Sequence, residues 1–127
     1  MSTPANLLYA KTHEWVEMTG DTTARVGISD FAQHALGDLV FVNLPDPGDA
    51  ITVDQAFGDV ESVKAVSDIM SPLTATVSAI NEELLSSPEK INGDPYGSWL
   101  IEVENISDKA VLMTSAEYEE YCKNGGH

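Results

Sequence analysis

The apolar residues of this chain come in short runs that turn signals cut off before a long element can form. The clearest case is Leu39 to Leu44, a dense apolar stretch closed at once by Pro45-Asp46-Pro47-Gly48. Proline has no N–H to give a strand ladder and glycine turns the backbone freely, so such a quartet ends a strand. Similar punctuation recurs at Thr19-Gly20-Asp21, at Ser71-Pro72 and through Asn92-Gly93-Asp94-Pro95-Tyr96-Gly97. Between the breaks lie strand candidates at Leu7 to Ala10, Glu14 to Met18, Thr23 to Ile28, around Ile51 and Val53, and across Phe57, Val60 and Val63. Val66 to Met70, Leu73 to Ile80 and Trp99 to Val103 add three more. Many short strands separated by turns predict a mainly β fold, a sandwich or a partly closed barrel.

Helical spacing is confined to three short stretches. Ser29 is placed to cap a helix from Asp30 to Leu36, with Phe31, Ala35 and Leu36 turned inward and Gly37 ending it. Asn81 is placed to cap Glu82 to Leu85, and Pro88 stops that helix from continuing. A terminal helix is expected from Ser115 to Lys123, followed by a flexible tail at residues 124–127, with His127 disordered. At 127 residues the chain has room for one core, so residues 1–127 are read as a single domain.

Charge removes several classes of function. Six Lys and Arg stand against 21 Asp and Glu, a formal net charge of -15. Such a field repels phosphate backbones, so neither nucleic acid nor an anionic membrane is an expected partner; a protein with a basic docking surface is. No apolar run approaches a membrane span. The start, MSTPANLLYA, lacks the basic region and long apolar stretch of a secretory signal. One cysteine, Cys122, excludes an internal disulfide and any metal site needing two thiolates from this chain. The histidines are scattered without zinc-motif spacing, and no metal site is expected.

Against that acidic background one lysine stands out. VESVKAVSD, residues 60–68, sets Lys64 between two strand candidates, with Val63-Lys64-Ala65 at the tip of a hairpin. A solvated lysine is protonated at neutral pH and a poor nucleophile, and Glu61 and Asp68 would favour the charge further if their carboxylates approach it. Schiff-base catalysis is therefore unattractive. Acylation is another matter: an amide removes the charge, and the attached group carries the chemistry on a movable tether. On these residues alone, an unmodified surface lysine and an acylated one both remain open.

The longer blocks bear on that choice. YAKTHEWV, VGISDFAQHALGDLVFVNLP, FGDVESVKAVSDIMSPL and INEELLSSPEKINGDPYGSWL follow in order, and together they resemble the H proteins of the glycine cleavage system from about Leu7 to Tyr121. The resemblance implies a compact barrel-sandwich hybrid of antiparallel sheets, with short peripheral helices and a lysine-bearing hairpin. It implies (R)-lipoate in amide linkage to Lys64, supported by Val63 and Ala65, and no enzymatic turnover by the chain itself. It also implies four partners. The P protein, a glycine decarboxylase, would load an aminomethyl group on the arm. The T protein, an aminomethyltransferase, would unload it. The L protein, dihydrolipoamide dehydrogenase, would reoxidise the dithiol, and a lipoylation enzyme would install the arm. Glu61 and Ala75 match positions that the family's lipoylation enzymes read, and His13 and Glu14 fall in the family's HEW block, where the loaded arm rests. Trp15, in the same block, is expected to be structural. The implied place is cytoplasmic in a bacterium, or the mitochondrial matrix for a processed eukaryotic chain.

The chain also departs from that pattern. Asp54 and Ala75 stand where the family often has glycine, and the run Pro95 to Trp99 is one residue shorter than usual. Two rival readings follow: an H-like relay that supplies lipoate to other enzymes, and an acidic interaction domain whose Lys64 stays unmodified. A biotin carrier fits less well, because ESVKA lacks methionines flanking the lysine.

Overall fold

The structure, a computed structural model, describes residues 3–125. His127, expected to be disordered, and the end of the expected tail lie outside those residues. Two antiparallel sheets and four short helices make up the described fold. The strands are β1 (Leu8–Tyr9), β2 (Glu14–Met18), β3 (Ala24–Ile28), β4 (Leu39–Asn43), β5 (Ala50–Ile51), β6 (Ala56–Ser62), β7 (Val66–Met70), β8 (Leu73–Ile80) and β9 (Ile101–Lys109). The helices are α1 (Asp30–Leu36), α2 (Glu83–Ser86), α3 (Lys90–Gly93) and α4 (Ser115–Lys123). One sheet runs β1-β2-β3-β9-β8-β5, the other β4-β6-β7, and neither closes on itself.

The sheets meet because each turns one apolar face inward. Alternation along β8 buries Leu73, Ala75 and Val77, while Val42, Val60 and Ile69 do the same from the smaller sheet. These join Val16, Val26, Ile101 and Val103 in one core, with Leu84 of α2 and Ile91 of α3 packed into it. A second cluster lies on the other face of β2: Leu7, Tyr9, Trp15, Met113 and Tyr118. Strand β2 is thus covered on both faces, which explains why Glu14, Trp15 and Val16 are all buried in succession. Trp15 fills the space that Gly27 leaves across the strand pair; a Cβ on Gly27 would fall 2.5 Å from its ring. The expected structural role of Trp15 matches this burial.

Local chemistry sets the helix ends. The Ser29 hydroxyl accepts from Ala32 N–H at 3.1 Å, and Gly37, at φ 82°, gives its N–H to the Gln33 carbonyl. Thr114 and Glu117 cap α4 reciprocally. Four expectations give way. Asn92 and Gly93, expected in a loop, end the short helix α3. Ala35 faces solvent, and Ala32 packs on the core in its place, alongside Leu36. Asn81 supplies its carbonyl to Leu84 N–H, and no side chain caps α2. Strand β9 starts at Ile101 rather than Trp99 and runs six residues beyond the expected end at Val103, because its ladder to β8 continues although its side chains are mostly exposed.

Candidate functional site

Strands β6 and β7 form the expected hairpin, and Lys64 stands exposed at its tip between Val63 and Ala65. The turn is built by Ser62. Its backbone N–H donates to the Ala65 carbonyl at 2.8 Å, and its buried hydroxyl accepts from Lys64 N–H at 3.2 Å and Ala65 N–H at 3.1 Å. A serine two residues ahead of a turn residue is a recognisable turn former, although Ser62 does not stand out in the sequence beside the lysine.

The tip is also tied to the body of the protein. Val63 N–H donates to the Asp38 carbonyl at 3.3 Å, and the Lys64 stem lies against Gly37. That loop is held in turn by Asn92 of α3. Its amide oxygen accepts from Leu39 N–H at 2.9 Å, and its amide nitrogen donates to the Gly37 carbonyl at 2.9 Å and to Gln33 Oε1 at 3.0 Å. A bulge between Leu39 and Phe41 lets β4 leave this loop and join β6. Nothing in the spacing of the sequence pointed to Asn92, because it acts across 53 residues.

Gly37 has two reasons to be glycine. Its φ of 82° and ψ of -161° lie in a region open almost only to glycine, and a Cβ there would sit 3.2 Å from Lys64 Cε. Gly37→Ala should therefore cost about 1–3 kcal/mol in chemical denaturation. An unchanged unfolding midpoint would contradict this account of the loop.

Among the described residues no carboxylate comes within ion-pair distance of Lys64; the ion pairs present join Arg25 to Glu17 and Glu102, and Lys90 to Glu83. The condition under which Glu61 and Asp68 would hold its charge is not met by direct pairing. Glu61 is half-buried and stands opposite Val66 and Phe41 in the three-stranded sheet. Ala75 is not with it: its methyl is buried in the core on β8, opposite Ile51, so it offers a partner no exposed side chain.

Glu14 opens β2, and His13 immediately precedes it. His13 sits at φ 77°, stacks on Phe31 with ring centres 4.5 Å apart, and places Nδ1 2.7 Å from the Tyr118 hydroxyl. That hydroxyl is also 2.6 Å from Ser29 Oγ, and the Tyr118 ring stacks on Tyr9 at 4.5 Å. Burial pushes the Tyr118 phenol well above its ordinary range. Glu14 is almost fully buried and accepts a hydrogen bond from the Thr12 hydroxyl. Burial raises its pKa to about 8, and the nearby Asp54 adds a smaller push in the same direction, against the hydrogen bonds that favour its charge. Thr12 and Asp54 line a surface cleft with Lys11, Ser71 and Pro72, at the end of the hairpin away from its tip. Asp54 itself has φ 64°, the left-handed conformation that glycine adopts freely and aspartate tolerates. The run Pro95 to Trp99 is packed rather than loose: Trp15 Nε1–H donates to the Pro95 carbonyl at 3.1 Å, and the Tyr96 hydroxyl accepts from Asp30 N–H. Among the described residues there is no cluster of three or more His, Cys, Asp or Glu able to hold a metal ion, and no helix long and apolar enough to cross a membrane.

An exposed lysine, unpaired by any described carboxylate and rooted on a tightly bonded hairpin turn of the three-stranded sheet, is the layout that a carrier of a covalently attached group requires. The chain matches the glycine cleavage H-protein family over residues 7–125. It is 54% identical over 118 residues to the glycine cleavage system H protein of Lachnoclostridium phytofermentans, covering 93% of each chain. To that of Mycolicibacterium gilvum it is 57% identical over 110 residues, covering 86% of this chain and 82% of the relative. The crystal structure of a glycine cleavage system H protein from Mycobacterium marinum superposes with a TM-score of 0.88 at 37% identity, covering 96% of this chain and 98% of that one. The chain belongs to the glycine cleavage H-protein family.

Proposed function

We propose that this protein is the lipoyl carrier of a glycine cleavage system, with (R)-lipoate in amide linkage to Lys64. It moves the aminomethyl intermediate from the P protein to the T protein, returns the reduced arm to the L protein, and has no turnover of its own. The dithiolane of the bound lipoyl group supplies the thiol–disulfide chemistry; the chain's residues present, position and receive the arm. The observation that carries the assignment of Lys64 is its place at the tip of the Ser62-bonded turn, exposed and unpaired by any described carboxylate. The residues present fit an amide-linked arm: the stem runs past Gly37, where a side chain would crowd it, and acylation costs no ion pair.

Val63 and Ala65 flank the root of the arm and leave it open to solvent. Glu61, on the solvent face of the sheet, is the recognition residue for the lipoylation enzyme. Ala75 serves that recognition only through the shape of the sheet. His13 and Glu14 belong to the surface that receives the loaded arm. Burial favours the protonated form of Glu14, and a cation entering the adjoining cleft would favour release of that proton, so the carboxyl can stabilise an ammonium there. The core shared by two unclosed sheets supports reading the architecture as a barrel-sandwich hybrid.

Glycine-dependent exchange of bicarbonate by the P protein tests the carrier role. The lipoylated chain should support exchange and the unlipoylated chain should not. A lipoylated chain that fails with an active P protein, yet hands lipoate to other acceptors, would instead establish the relay.

A further inference from the structure

The solvent face of the three-stranded sheet is apolar where it meets the hairpin tip. Register places Phe41, Glu61 and Val66 in one row across β4, β6 and β7, and residues in one row share a face. Phe41 is 53% exposed and Val66 66%, so two large apolar side chains flank a central carboxylate. Val63, 74% exposed, extends this surface towards Lys64. The next row on the face is Asn43, Asp59 and Asp68, with Asn43 donating to Asp59. No ion pair among the described residues neutralises Asp59, Glu61 or Asp68. The surface is therefore a small apolar patch with an acidic centre and rim, complementary to an apolar contact that carries a cationic side chain.

We propose that Phe41 and Val66 form the docking surface for the enzyme that acylates Lys64, whose contacting surface is apolar and basic. This rests on the assignment of Lys64 as the attachment site. Reach favours the installing enzyme over the others. The row ends at Val66, two residues from Lys64 and so no more than about 7 Å from it along the backbone. An enzyme that acts on the bare amine must come within the length of the four-carbon lysine stem, and so must lie against the residues beside the tip. Enzymes that act on the far end of the finished arm are under no such constraint. In the transfer, the lysine nitrogen forms a bond to the acyl carbon of an acyl adenylate or thioester. The bond from that carbon to the donor breaks, the donor leaves with the electron pair, and the nitrogen gives up two protons. A firm hold on the sheet keeps the amine aligned with that carbon.

The test is the rate of lipoylation of the full chain by a lipoylation enzyme with its activated donor. Phe41→Ser and Val66→Ser should each lower kcat/KM by about tenfold or more, a change of about 1.4 kcal/mol per factor of ten. Phe41→Leu should restore most of the rate. Leu85→Ser, an equally apolar surface change on α2, should leave the rate as it was. The rate for the unaltered chain should fall severalfold as ionic strength rises from about 0.01 to 0.15 M, a readout that needs no variant. Once driven to full lipoylation, the variants should support exchange by the P protein at the normal rate. Lipoylation of both serine variants at the normal rate would overturn the proposal, as would an equal fall in lipoylation and exchange, which would make the patch a common docking face. Failure of the unaltered chain to gain any adduct at Lys64 is a separate result, and would overturn the attachment site itself.

Discussion

Lys64→Arg is expected to accept no lipoyl group and to reduce glycine-dependent exchange to background. Arginine keeps the positive charge and the long stem, but its guanidinium does not deprotonate in a protein and cannot be acylated by this route. Because Lys64 is exposed and makes no ion pair, the substitution should change stability by no more than about 0.5 kcal/mol, so lost function cannot be ascribed to unfolding. Exposure alone does not single out Lys64, since Lys11, Lys90, Lys109 and Lys123 are exposed as well. Lys90 and Lys123 lie on helices, Lys109 ends an extended strand, and Lys11 lies in the β1–β2 connection. None of the four stands at the tip of the β6–β7 hairpin. Mass mapping of the variant after lipoylation checks this directly; an adduct moved to one of the other lysines would mean that the hairpin is not what the installing enzyme reads.

Glu14→Gln is expected to stabilise the protein, and by more as the solution becomes alkaline. In the folded chain burial lifts the Glu14 carboxyl from its ordinary 4.5 to about 8. Between those values the folded state holds a proton that the unfolded state releases, so the contribution of this group to stability falls as pH rises through that window and is gone above it. Glutamine has the same shape, accepts the same Thr12 hydroxyl and never ionises. The two proteins should therefore have similar stabilities near pH 4.5 and diverge up to pH 8, by about 5 kcal/mol at most. Urea unfolding at pH 5, 7 and 9 measures the difference. Parallel curves across that range would show that Glu14 titrates alike in the folded and unfolded chains. The same variant has no anion to offer a cation in the adjoining cleft, so its extra stability is expected to come with weaker retention of the loaded arm.

The parts of this fold that were legible are those set by neighbours in sequence. Ser29 and Gly37 delimit α1 as expected, the terminal helix occupies Ser115 to Lys123, and β8 runs from Leu73 to Ile80, because caps, turns and alternation act over a few residues. The hairpin around Lys64 was legible for the same reason. Strand β9 was not legible past Val103: there the ladder to β8 decides, and the side chains carry little apolar pattern. Ala35 was misplaced because a seven-residue helix leaves little periodicity from which to choose its buried face. At the candidate site the missing pieces are the long-range ones. The position of Lys64 depends on Asp38, and Asp38 on a loop that Asn92 holds from α3. The burial of Glu14 comes from strand β2 being covered on both faces, which a local EWV run does not reveal. The resemblance named Ala75 for recognition by the lipoylation enzyme, and its burial on β8 was not legible from that match.

The most direct measurement is the intact mass, followed by peptide mapping, of the protein co-produced with a lipoylation enzyme and lipoate, beside a known lipoyl acceptor as a positive control. A single lipoyl adduct confined to Lys64 is the result this account predicts. An unmodified chain while the control is fully lipoylated, or an adduct on any other lysine, would contradict it.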